Sequence, residues 1–254
     1  MLGLFVFLFG LIIGSFLNCV IWRTYKEESF LGGKSYCPHC KHDLNYLDLF
    51  PLFSFLLLKG KCRYCSKKIS IQYPLVELST AILFSITYLY FGISLDLMFW
   101  LIIASLSVLI FVYDLKYYII PDRFIFSAIL ISIIYLGLSF FKGNLSLDFI
   151  ALSFLSALGA SLFLFLIWFF SKGLAMGFGD VKLAFLIGLI LGWPFVVIGV
   201  FLGFLFGAMI GTIIVIVKGS RMNAEVPFAP FLLSGMFVTI FLGESILNWY
   251  LSLI

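Results

Sequence analysis

Eight apolar stretches long enough to cross a bilayer limit what this chain can fold into more than any other feature. A spanning helix needs roughly 20 consecutive apolar residues. Runs of that order occupy Leu2–Trp22, Leu75–Phe91, Leu97–Tyr113, Phe124–Phe141, Phe149–Phe170, Leu183–Val197, Ile198–Val217 and Phe231–Leu253. The sixth and seventh run together, parted only by Gly192-Trp193-Pro194. Only 11% of the residues are charged, against about a quarter in soluble domains, which excludes most soluble enzyme classes. The 32 phenylalanines exclude disorder. The expected fold is an all-α polytopic membrane protein of about eight transmembrane helices. The first stretch has no basic n-region and no small-x-small cleavage site, so it is expected to be retained.

The net charge of +4 carries orientation rather than affinity for nucleic acid, and no nucleic-acid partner is expected. Nine basic residues, from Arg23 to Lys68, lie between the first two spans. Lys116, Arg123, Lys172, Lys182, Lys218 and Arg221 fall on the same side, and only Lys142 on the other. The positive-inside rule makes the basic side cytoplasmic, so an even number of spans leaves both termini extracytoplasmic. The expected organisation is a first transmembrane helix (1–22), a cytoplasmic loop (23–74) and a membrane core of about seven helices (75–254). Within the loop, Leu47–Leu58 is apolar but too short to span, and is expected on the membrane surface or against the helices.

Four of the five cysteines form two pairs in that loop, Cys37-Pro38-His39-Cys40 and Cys62-Arg63-Tyr64-Cys65. A C-x2-C turn directs two sulfurs at one centre, and two such turns complete a tetrahedral thiolate shell for Zn2+. A closed shell leaves no position for water, which predicts a structural metal for a loop with little core of its own. Two disulfides are the competing reading, disfavoured in a reducing cytoplasm. A redox C-x2-C and substitution of a sulfur by His39 or His42 also remain open. Cys19, inside the first span, reads as a small buried apolar residue.

Ionisable residues in or beside spans are costly and therefore functional candidates. Asp114 closes the third span, and Asp180 opens the sixth in Gly177-Phe178-Gly179-Asp180. Both fall at the cytoplasmic boundary. Two carboxylates at one depth can share a proton and present an acid and a base together, which suffices to activate water against an amide. Taken singly, Asp180 also reads as a helix cap and Asp114 as a surface ion pair. Asp122 reads as a cap of the fourth span. Glu77 stands at the start of the second span, where the helix dipole favours a carboxylate. Glu244 reads as interfacial.

Taken in order, these segments resemble the type IV prepilin peptidase family, the membrane-embedded GxGD aspartic proteases. The resemblance rests on Gly14-Ser15-Phe16-Leu17-Asn18, the two cysteine pairs, Tyr73-Pro74-Leu75-Val76-Glu77-Leu78, the Asp114-to-Asp122 segment, Gly177–Asp180 and Pro227-Phe228-Ala229-Pro230-Phe231. It covers nearly the whole chain. In this chain the first motif continues as Ile21-Trp22-Arg23-Thr24-Tyr25, where members often carry Tyr-Arg-Leu-Pro, and Ala229 stands where glycine is common. The resemblance implies Asp114 and Asp180 as catalytic aspartates, and prepilins or pseudopilins as substrates cleaved after a short basic leader. It also implies methylation of the new N-terminus with S-adenosyl-L-methionine, an activity associated with the four-cysteine loop. Glu77 then stands evenly between a helix cap and a part in binding that methyl donor. The setting it implies is the cytoplasmic membrane of a prokaryote, with the active site and zinc loop facing inward. The alternative function is a polytopic transporter or channel with a zinc-knuckle regulatory loop. Intramembrane carboxylates suit ion pathways too, although no paired halves with broken helices are visible.

Overall fold

The computed structural model describes residues 1–29, 32–218 and 226–253, and among these the chain is helical with no extended strand. In chain order the helices are α1 (Leu2–Tyr25), α2 (Phe53–Leu57), α3 (Gln72–Phe91), α4 (Leu95–Tyr117), α5 (Asp122–Phe141), α6 (Leu147–Phe170), α7 (Phe178–Leu191), α8 (Phe195–Lys218) and α9 (Ala229–Leu251). Seven of them, all but α2 and α7, are long and apolar enough to cross a membrane. The protein is a multi-pass membrane protein. Arg221, one of the topology-setting charges, lies outside the described residues.

The sixth span differs from its predicted extent of Leu183–Val197. Helix α7 starts five residues earlier and stops at Leu191 after 14 residues, about 21 Å at 1.5 Å per residue. Gly192 ends it with φ +64°, a left-handed conformation that glycine adopts without strain. The two charged residues at its start both find partners. Asp180 reaches back to the Gly177 N–H, and Lys182 pairs with Asp122 at 2.5 Å. Leu47–Leu58, too short to span, forms a turn of 3-10 helix at Tyr46–Asp48 and the short α2.

The chain divides into two compact units, Met1–Val112 and Tyr113–Ile254. In the first, α1 packs along α3. A Cβ on Gly10 would come within 2.6 Å of the Ala81 Cα, and one on Gly14 within 2.6 Å of the Glu77 Cα. The Gly10-x3-Gly14 spacing therefore brings two backbones together, as small residues do between membrane helices. In the second unit α7 is the central element, packed on α5, α6, α8 and α9. Its apolar residues face every direction, with Val181, Leu183, Ala184, Leu186, Ile187 and Leu189 all buried. A helix apolar all round belongs inside a bundle. Close packing on α6 fixes it there, since a Cβ on Gly188 would meet the Ala157 Cα at 2.5 Å.

Candidate functional site

Within the second unit the structure buries both predicted catalytic aspartates, Asp114 at 5% and Asp180 at 6% exposure. Asp114 sits in the last turn of α4. That helix stops there because Tyr118 turns left-handed at φ +58° and donates its N–H to the Asp114 carbonyl. The Asp114 carboxylate accepts a 3.2 Å hydrogen bond from the N–H of Ala229, the first residue of α9. Asp180 is the third residue of α7, and its Oδ2 accepts from the Gly177 N–H, also at 3.2 Å. Asp114 lies within electrostatic reach of Asp180.

Both carboxylates thus solve one problem in one way. A buried acid needs a partner, and the unpaired N–H groups of a helix start are ready donors at the positive end of a dipole. Asp114 uses the start of α9, and Asp180 the start of its own helix. Among the described residues, each carboxylate receives one protein hydrogen bond. The glycines of the motif act differently from each other. Gly177 supplies its N–H, whereas a Cβ on Gly179 would press on the Ile120 side chain at 3.0 Å.

Asp122 follows the N-cap residue Pro121 rather than capping α5 itself, and its partner is Lys182. Lys182 also lies over the Phe126 and Phe178 rings, at 5.5 and 5.4 Å. The lysine two residues from Asp180 is therefore held by α5.

In the first unit Cys37, Cys40, Cys62 and Cys65 converge, their sulfurs all within 4.8 Å of one another. The Cys37 and Cys65 sulfurs are 3.9 Å apart, close to the ~3.8 Å edge of a tetrahedron of Zn–S bonds. All four are free thiols, so the disulfide reading does not hold. Neither histidine belongs to the cluster, and the His42 ring packs on Tyr64 at 3.7 Å. The two pairs have the same backbone. Cys37 N–H donates to the His42 carbonyl and Lys41 N–H to the Cys37 carbonyl; Cys62 with Lys67, and Ser66 with Cys62, repeat the pattern. Lys41 and Ser66 occupy equivalent left-handed positions at φ +59° and +57°. Asp48 ties the intervening turn to the second pair through Arg63 Nε at 2.6 Å and the Tyr64 hydroxyl at 3.0 Å. Burial pushes the Asp48 carboxyl up, but hydrogen bonds from Arg63, the Asn45 N–H and Tyr64 outweigh it and hold the group below its ordinary value.

Glu77 is buried and lies beyond the first turn of α3, which contains no acid, so it is not a cap of that helix. Its Oε2 accepts from the Leu52 N–H at 2.8 Å. Beside it, Asn18 donates to the Tyr73 carbonyl at 3.1 Å, so the Gly14–Asn18 and Tyr73–Leu78 motifs meet. Cys19 is half-exposed rather than buried. Arg23 was counted only as a topology charge, and the structure gives it a second task. Its guanidinium is buried and donates to the carbonyls of Ser29, Gly32, Gly33 and Lys34. An arginine at a helix end followed by Gly32-Gly33 was the one available signal.

Residues 8–91 match the bacterial peptidase A24 N-terminal domain, and residues 100–212 match the type IV leader peptidase family. A prepilin leader peptidase/N-methyltransferase of Bacillus subtilis is 34% identical over 98% of this chain and 97% of its own length. Proteins of the same name from Legionella pneumophila and Aeromonas hydrophila are each 31% identical, over 98% and 97% of this chain and 94% and 93% of theirs. No solved structure matches the chain. The transporter or channel alternative finds no support in these matches.

Proposed function

Since the chain belongs to the type IV leader peptidase family, its activity is that of a prepilin leader peptidase with N-methyltransferase activity, and we propose that Asp114 and Asp180 carry the proteolytic step. The observation that supports this is the burial of both acids in one unit, each anchored by one helix-start N–H.

One aspartate, ionised, takes a proton from a water molecule. The other, protonated, donates a hydrogen bond to the scissile carbonyl oxygen. The hydroxide attacks the carbonyl carbon, and the tetrahedral intermediate collapses as the acid protonates the leaving amine. The backbone N–H donors hold both carboxylates in place without supplying a competing charge. The Asp122–Lys182 pair serves the same end by keeping Lys182, two residues from Asp180, engaged.

The substrates are prepilins or pseudopilins whose basic leader remains in the cytoplasm. The catalytic edge and the cysteine loop face the cytoplasm, and the membrane is that of a prokaryotic cell; with the short, buried α7 as an eighth crossing beside the seven longer helices, both termini face outward. The loop charges support this orientation. The four thiolates fit a structural Zn2+ by donor type, number and spacing. S-adenosyl-L-methionine is the methyl donor.

The deciding experiment uses purified full-length protein with a prepilin substrate, comparing wild type, Asp114→Asn and Asp180→Asn. Cleavage is expected only in the wild type, with a mature N-terminus one methyl group heavier when S-adenosylmethionine is added. Cleavage surviving either substitution would end the aspartic mechanism.

A further inference from the structure

Between the two cysteine pairs the chain runs from Leu49 to Leu58 without a charge, bounded by Asp48 and Lys59. The depth of this segment follows from its one bond to a spanning helix. The Leu52 N–H donates to Glu77 Oε2 at 2.8 Å. The Glu77 backbone packs directly on Gly14 of α1. Gly14 lies eight residues before Trp22, where the apolar run of α1 ends. Eight helical residues span about 12 Å, most of the ~15 Å that one leaflet contributes to the hydrocarbon core. A glutamate side chain is shorter than that, so the Leu52 backbone lies within the leaflet rather than above it.

Backbone at such depth has to be satisfied by the protein itself. Here it is. Leu52 uses the Glu77 carboxylate, and the N–H groups of Ser54, Leu56 and Leu58 donate to carbonyls within the segment. The side chains are left uncovered, with Phe50, Phe53, Leu56 and Leu57 between 53% and 81% exposed. Behind them a cavity of about 570 Å³ separates residues 46–53 from α1. Among the described residues its lining holds no carboxylate, and its one cation, Arg23, is engaged by four carbonyls. That lining suits an uncharged, apolar occupant. Leu8, Ile12 and Phe16 form part of it and are also exposed on the outside of a spanning helix. The cavity is therefore continuous with the surface that the bilayer covers.

We infer that residues 49–58 lie inside the bilayer, in the leaflet at the C-terminal end of α1, and that the cavity behind them holds an acyl chain of a phospholipid. The loop between α1 and α3 is then re-entrant, with one cysteine pair before the immersed stretch and one after it. Glu77 gains a structural task, closing the one backbone N–H that the segment's own turns leave over. The inference goes beyond the peptidase and methyltransferase activities and depends on neither.

Immersion is tested on wild-type protein in lipid nanodiscs, exposed to hydroxyl radicals generated in the water. Side-chain oxidation is read by peptide mass spectrometry and normalised to the unfolded chain. By protein cover alone, Phe53 and Leu57 would oxidise at least as readily as Tyr64 of the second cysteine pair, which is 42% exposed. Under acyl chains they should oxidise roughly tenfold more slowly, because the bilayer core holds no water. Equal normalised rates would put the segment in water and overturn the inference. The cavity is tested by native mass spectrometry of protein released from the nanodiscs. Wild type should retain one phospholipid that is lost in Cys19→Phe and in Ile12→Trp, two lining substitutions that fill the space, with zinc content unchanged in both. Retention of that phospholipid in both variants would overturn the acyl-chain site. So would its one-for-one displacement by a prepilin, which would assign the cavity to the substrate.

Discussion

The acid pair and the cysteine cluster both gather reactive side chains, but they are built by opposite means. The cysteine cluster is local. Two stretches of eight residues, 36–43 and 61–68, repeat one hydrogen-bond pattern and one left-handed residue, so each sulfur pair is placed by its own turn. The acid pair is distributed. Asp114 finds its donor 115 residues away, at Ala229, and Asp180 is placed by a helix held inside four others. A local site can be lost by changing its turn alone, whereas a distributed site depends on the packing of its whole unit.

That contrast is broken most strongly at the aspartates. Asp114→Asn or Asp180→Asn keeps volume and hydrogen-bonding capacity but removes the acid–base function. Cleavage measured on a prepilin should fall by about 10³-fold or more, with zinc content and helicity at wild-type levels. Loss of helicity alongside activity would show that the acids serve the fold instead.

The next effect concerns the metal. Cys37→Ser with Cys62→Ser should remove the bound zinc, measured by elemental analysis. It should also make residues 35–68 sensitive to protease, because metal binding in such loops is worth roughly 10 kcal/mol of folding free energy. The Asp114 and Asp180 geometry belongs to the other unit, so its helicity should be retained. Zinc content unchanged in the double variant would mean that the cluster is not the metal site.

Ala229→Gly sharpens the comparison by a smaller amount. The contact to Asp114 is made by a backbone N–H, which glycine also provides. Activity should remain within a few-fold of wild type, with a helix-propensity cost of under about 1 kcal/mol. A loss as large as that of Asp114→Asn would show that the methyl group, not the N–H, matters.

The smallest effect lies at Asp48, the tie between the 46–48 turn and the second cysteine pair. Its folded pKa is held below the ordinary value, so the contact contributes at neutral pH and is lost as pH falls through that folded value. Asp48→Asn should therefore lower loop stability by less than about 1 kcal/mol near neutrality. The gap to wild type in hydrogen exchange of residues 45–65 should narrow below about pH 4. A gap independent of pH would sink the electrostatic account.

The same contrast explains what was legible in the sequence. The cysteine turns could be read because their geometry is written within four residues. Most spans could be read because hydrophobicity is cumulative along the chain. The aspartates stood out because charges are scarce at that depth, but their donors did not, since a backbone N–H leaves no trace in the side-chain pattern. Glu77 reads evenly as a helix cap or as part of the methyl-donor site, and its contact with Leu52 leaves no trace because nothing local links the two across 25 residues. The apolar run begins at Leu183, but α7 begins at Phe178, because Gly177 and Asp122 engage Asp180 and Lys182 inside the helix.

Arg23 shows what such long-range partnerships mean for anyone editing this protein. Orientation in the bilayer depends on counting cations, and for that count lysine would serve equally well. The fan of carbonyls around Arg23 would not accept the exchange, because an ammonium has three donors and no planar fork. A substitution silent to the insertion machinery would release Ser29 and residues 32–34 from the end of the first helix. Charge and shape are selected together at this one side chain, so rules for reorienting membrane proteins by swapping basic residues do not apply to it.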